Sequence, residues 1–305
     1  MKGRAKAFES FWFRPVDPRN LAVCRVFFFG WLFLWYLGAD FSFITEFPAA
    51  FWTPQPLLAV FGLDRIAPEN VVIATRLIFL AGLLLACVGF MTRSSIVVAA
   101  VSGTYLLALT HSFHKTNHSD AALVLAMFVL AFSHCGRAWS VDAWLRSQRA
   151  SDSNDRAGLT VHGEYRWPVQ MVRLLFAITF FLAGAAKLRF GGMDWMFRDG
   201  LSNLLLRQHF AWQPPLDVGM WLASQQWLCR LLSVGTVVLE LAAPLALISR
   251  WARALIIPGL LSMQIGILML MGDNFTQFMA LYVFFVPWLW ILQRLGVIRG
   301  HDETD

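Results

Sequence analysis

Apolar residues run along this chain in blocks, and polar residues gather in the stretches between them. The blocks fall at roughly 20–38, 71–91, 95–111, 119–134, 168–189, 228–249, 252–271 and 274–292. Each is long enough, or nearly so, to cross about 30 Å of hydrocarbon as a helix. The pattern therefore predicts an all-α integral membrane protein, a polytopic bundle of about eight transmembrane helices. The block at 119–134 is the shortest. The polar stretches predict a basic N-terminal segment over 1–19, a membrane domain over 20–292 and a tail over 293–305. Two of the connecting stretches, Phe41 to Asn70 and Arg189 to Trp227, are long and rich in aromatic residues. They read as interfacial or re-entrant segments at the outer face, placed either to roof a cavity or only to anchor helix ends.

Composition agrees. Of 305 residues, 58% are hydrophobic and 14% charged, too apolar for a soluble domain. The 14 Trp and 27 Phe suit aromatic belts and lipid-facing surfaces. The first block lacks a small-residue cleavage site and reads as a signal anchor. Placing both termini in the cytoplasm leaves fifteen Lys and Arg on inner segments. Six then fall on outer ones: Arg65, Lys115, Arg189, Arg198, Arg207 and Arg230. Basic residues concentrate on the cytoplasmic side, so this orientation is preferred. The net charge of +6 is thus an orientation signal and gives no reason to expect nucleic acid. Cys24, Cys87, Cys135 and Cys229 are scattered without metal-like spacing, and no metal is expected.

Ionisable residues inside apolar blocks are the candidates for chemistry. Lys187 sits near the outer end of the run from Met171 to Leu188, directly after Ala183-Gly184-Ala185-Ala186. A lysine at a helix centre costs roughly 2.5–3.5 kcal/mol on insertion, less toward an end. The small residues before it let another helix or a ligand approach. Either it snorkels to water, or desolvation favours its neutral form and makes it a base. Arg173 lies fourteen residues earlier on nearly the same helix face, about 21 Å away along the axis. Glu240 lies deep in its block, and by depth Arg173 or Arg25 is its expected partner in a structural charge pair. A proton-relay role for Glu240 is the alternative. His111, His114 and His118 cluster in one outer turn with Asn117 and Asp120. Their spacing allows a metal site, a bland loop cluster, or a share of His118 in a site with Lys187. Ser140 and Asp142 in the stretch Trp139-Ser140-Val141-Asp142 read as a helix cap.

Four segments in order resemble one family: RPVDPRNLAVCR from Arg14, NHSDAALVL from Asn117, WSVDAWL from Trp139, and RLLFAITFFLAGAAKL from Arg173, followed by Asp194-Trp195. They are similar to the HTTM (horizontally transferred transmembrane) domain proteins and to the membrane core of vitamin K-dependent gamma-glutamyl carboxylase. The resemblance runs from about residue 14 to about 290. It implies that Lys187 is the base that deprotonates a reduced naphthoquinone, and that His118 supports the site. It implies binding roles for Asn117, Gly184 and Trp195. Reduced vitamin K or menaquinol would be the cofactor, with O2 and CO2 as co-substrates. Against the carboxylases, the short tail at 293–305 leads to the expectation that no large domain follows the membrane core. Gln264 stands where they carry a histidine, and Ala186-Lys187 where they carry two lysines.

The expected function is a quinol- and oxygen-dependent membrane enzyme, coupled to proton abstraction or glutamate carboxylation. It would sit in the bacterial inner membrane and act on a secreted peptide or protein. Two rivals stay open: a non-catalytic component for maturation or export of a secreted peptide, and a small-molecule carrier using Glu240 and Arg173.

Overall fold

Residues 2–63, 65–113, 118–149, 160–212, 217–272 and 275–298 are described by the structure, a computed structural model. Among these residues helix accounts for nearly all regular structure. The only β element is an isolated antiparallel bridge between Val16 and His162. The chain divides into two compact units, one of residues 1–172 with 283–305 and the other of residues 173–282.

The first unit opens with α1 (Lys2–Phe13) and α2 (Pro18–Leu37). Asp17 starts α2 by accepting the Arg19 N–H at 2.8 Å, with proline at the first helical position, where its missing N–H is not needed. Short helices α3 (Phe43–Glu46) and α4 (Pro56–Val60) occupy the expected outer loop. Then follow α5 (Glu69–Val88), α6 (Thr92–His111), α7 (His118–Ala131) and α8 (Val141–Arg149). Helices α2, α5, α6 and α7 pack side by side. Their contacts rest on small residues, because lipid supplies little hydrophobic drive between helices and close van der Waals approach must do it instead. A Cβ on Gly82 would lie 2.9 Å from the Ala99 nitrogen, and one on Gly103 would lie 2.6 Å from the Phe79 ring.

Helix α9 (Trp167–Ala186) passes from the first unit into the second and ends in a π-helical turn, Lys187–Gly191. The second unit continues with α10 (Gly192–Phe197), α11 (Gly200–Trp212), α12 (Val218–Ser224), α13 (Gln226–Ala242), α14 (Leu245–Ile248) and α15 (Arg250–Met271). Its core joins Leu205, Leu222, Ala223, Cys229 and Met271. Phe176 and Phe180 of α9 pack on Phe278 of the 3-10 helix Thr276–Phe285. The chain returns to the first unit in α16 (Trp288–Arg294), where Trp288 stacks on Phe27 at 4.7 Å.

All eight apolar blocks are helical, but not all are single long helices. Among the described residues, five helices are long and apolar enough to cross a membrane, six if the last bent pair counts as one span. Three blocks depart from the expected pattern. The 119–134 block stops being helical after Ala131. The 228–249 block breaks at Ala243–Pro244 into α13 and α14. The last block bends by 72° at Pro287, between the 3-10 helix and α16. Proline cannot donate the helical N–H and clashes with the preceding turn, so two of the three breaks follow from composition.

Candidate functional site

Gly184 decides where α9 and α13 meet. Having no side chain, it lets α13 approach so closely that an added Cβ would lie 2.9 Å from the Glu240 Cβ and 3.2 Å from Leu241. Lys187 follows one helical turn later, about 4.5 Å further along the axis. That is within reach of a lysine stem. Its Nζ donates to both Glu240 oxygens, Oε1 and Oε2, each at 2.6 Å. The Glu240 side chain is 4% exposed and that of Lys187 is 27% exposed.

The surroundings complete the pair. Lys187 opens the π-helical turn, and such turns occur often at functional sites because they re-aim side chains without ending the helix. The Trp195 ring of α10 lies with its centroid 5.7 Å from Nζ, near enough for a cation–π attraction. Gly191 makes room for it, since a Cβ there would meet the Trp195 Cβ at 2.7 Å. The amine therefore has a carboxylate on one side and an indole on another. Two of its three N–H groups point at Glu240, and the third has no partner among the described residues.

This arrangement corrects two expectations. Glu240 takes Lys187 as its cation, where Arg173 or Arg25 was expected. The depth count that favoured an arginine assumed one straight helix from 228 to 249. The chain breaks after Ala242, so Glu240 lies near the end of α13 instead of mid-span. Lys187 is accordingly half of an ion pair, not a lone amine in an apolar chamber. Gly184 packs on α13, so of the two approaches its small size allows, a neighbouring helix takes the place.

Arg25 is fully buried in the first unit, where Nη1 donates to the Cys135 carbonyl at 3.3 Å and Nη2 to that of Trp139. Asn117 lies outside the described residues. His118 begins α7, but its side chain is not among those described. Among the described residues no group of three His, Cys, Asp or Glu is placed to hold a metal ion.

One polar arrangement went unread in the sequence, and a second, the Ser140–Asp142 cap, serves two helices. His111, the last residue of α6, lies with Nε2 3.1 Å from Oδ2 of Asp120 in the first turn of α7. The sequence signal was there: a histidine at a helix C-terminus and an aspartate at the next N-terminus, each favoured by the helix dipole. Asp142 does cap a helix, but not its own. Its carboxylate accepts the Met91 N–H at 2.8 Å and the Thr92 N–H and hydroxyl at 2.7 Å, at the start of α6. Ser140 caps α8 instead, accepting the Ala143 N–H at 2.9 Å.

A family model described as HTTM domain matches residues 13–289, most of the chain. No curated protein and no solved structure matches it.

Proposed function

The chain belongs to the HTTM domain family, and on that premise we propose that it is a carboxylase-like membrane enzyme whose Lys187–Glu240 pair takes a proton from a reduced naphthoquinone. The observation that carries this is the pair itself. An ammonium at the π-helical end of one apolar helix lies 2.6 Å from a carboxylate on another, and the amine stays partly accessible while the carboxylate does not.

The residues present suit such a ligand. The third N–H of Lys187 offers a hydrogen bond to a hydroxyl or its anion, and the Trp195 face offers a flat apolar surface. When bound, a reduced quinone supplies acidic hydroxyl groups and, with dioxygen, oxidising power. The protein supplies the proton acceptor and the counter-charge. In the paired state the lone pairs able to receive a proton belong to Glu240. Lys187 keeps its positive charge and stabilises the anion left behind. The two act as one unit, and assigning the base to Lys187 alone understates Glu240. His118 and Asn117 assist by the family resemblance. Carboxylation of a secreted peptide, with CO2 as co-substrate, is the coupled reaction proposed. The cytoplasmic placement of both termini in a bacterial inner membrane rests on the loop charges.

The test is direct. Purified protein is given reduced menaquinone under oxygen, and quinone epoxide is measured by mass spectrometry. Wild type is expected to form epoxide, and Lys187→Ala and Glu240→Gln are expected to lose it. Equal turnover in all three proteins removes the pair from catalysis. No epoxide from folded wild type favours the non-catalytic peptide-maturation role.

A further inference from the structure

A second cluster lies in the first unit, at the end that the loop charges assign to the cytoplasm. Gly136 approaches Thr92 so closely that an added Cβ would lie 2.6 Å from the Thr92 Oγ1. Arg93 follows Thr92 and donates through Nε to the Ala131 carbonyl at 3.1 Å, and Arg137 follows Gly136. Arg146 of α8 folds back and donates to the Gly136 carbonyl at 2.8 Å. Arg149 ends the same helix. All four arginines are exposed.

Among the described residues, the carboxylates at this end are already engaged. Asp142, the acid of α8, is turned onto the N-terminus of α6. Glu164 lies 3.5 Å from His134 and 3.7 Å from His162. Two tryptophans stand among the arginines, Trp139 at 42% and Trp144 at 59% exposed. Trp139 holds a left-handed backbone at φ 46°, and its carbonyl is fixed by the buried Arg25. Helix α8 buries none of its residues in the protein, yet it is amphipathic, with Val141, Trp144 and Leu145 along one side, Arg146 on the opposite side and Arg149 at the flank beside Leu145. A short helix with exposed tryptophan on one side and guanidinium on the other suits the boundary between acyl chains and headgroups.

We propose that α8 and the turn before it form an interfacial surface that binds anionic phospholipid headgroups. Charge complementarity selects the occupant. Four exposed guanidiniums, with no free carboxylate beside them among the described residues, match phosphodiester headgroups bearing net negative charge. The flanking indoles match the adjoining acyl boundary.

The full-length protein is reconstituted in bilayers of phosphatidylglycerol and phosphatidylcholine at equal proportions. It is then extracted mildly, and the lipids that stay with it are quantified by mass spectrometry. Wild type is expected to retain phosphatidylglycerol several-fold over phosphatidylcholine. The variant Arg137→Gln/Arg146→Gln/Arg149→Gln is expected to fall to the bulk ratio. Because Arg146 also bonds the Gly136 carbonyl, Arg137→Gln/Arg149→Gln serves as a second variant and should lose most of the preference while melting as wild type does. High salt should weaken the preference in wild type. Equal enrichment in wild type and both variants overturns the proposal. So does an absence of headgroup preference in wild type with arginine-dependent binding of an oligonucleotide, which would assign the surface to nucleic acid.

Discussion

Removing Lys187 is expected to cost more stability than removing Glu240, although the two contribute one interaction. At 2.6 Å and an effective dielectric of about 20, the direct attraction is roughly 6 kcal/mol. Desolvation of the buried carboxylate offsets part of this, leaving a net coupling on the order of 2–4 kcal/mol. The asymmetry comes from exposure. Lys187→Met leaves a carboxylate that is 4% exposed without a cation, at a cost of about 3–5 kcal/mol. Glu240→Gln leaves an ammonium on a side chain 27% exposed, which turns toward water at about 1–2 kcal/mol. The double variant Lys187→Met/Glu240→Gln, with no charge left, should recover most of the loss. Equilibrium unfolding of all four proteins in mixed micelles gives the coupling as a double-mutant cycle. A coupling below about 0.5 kcal/mol is what a loose surface pair gives, and it would refute the buried pair. A Glu240→Gln variant less stable than Lys187→Met would refute the exposure argument.

Three further outcomes are expected. Gly184→Val should push α13 off α9, lower the Lys187–Glu240 coupling measured by the same cycle, and abolish epoxide formation before the fold is lost. Gly89→Ala should destabilise by more than the roughly 1–2 kcal/mol of a left-handed backbone alone, because its Cβ would collide with the Arg25 guanidinium and the Ser140 Cβ. Gly62→Ala, at φ 67° with nothing within 4 Å, should show only the backbone cost, and thermal melting compares the two. Asp142→Asn should cost about 1 kcal/mol through the weakened cap of α6. Burial raises the Asp142 carboxyl's proton affinity, but hydrogen bonds from Thr92 and Met91 outweigh it and hold the pKa below the usual aspartate value. The cap's contribution is therefore complete above about pH 4 and lost as pH falls through the lower folded value. The melting difference between wild type and Asp142→Asn should close in that acid range.

Much of the membrane fold was legible in the residues because apolar blocks need no tertiary information. A run of twenty such residues has to satisfy its backbone internally, and a helix does so wherever it lies. Gly184 and Lys187 were legible as a small residue and an amine one turn apart. Their use was not, since spacing along α9 cannot say which helix fills the space beside Gly184. The depth count misassigned Glu240 because a break after Ala242 changes heights without changing sequence distance. Asp142 was legible as a cap, but its target at Thr92 lies fifty residues away.

Composition and periodicity alone settled that this chain is helical, and with the orientation rule they indicated which connecting segments face which side. Those properties depend on each residue's transfer from water and on its immediate neighbours. Only the packed structure decided that Lys187 meets Glu240, that Asp142 turns onto another helix, and that Arg146 folds back onto Gly136. Each of these depends on two backbones coming within a few ångströms, and that distance is set by the side chains missing from Gly184 and Gly136 as much as by those present.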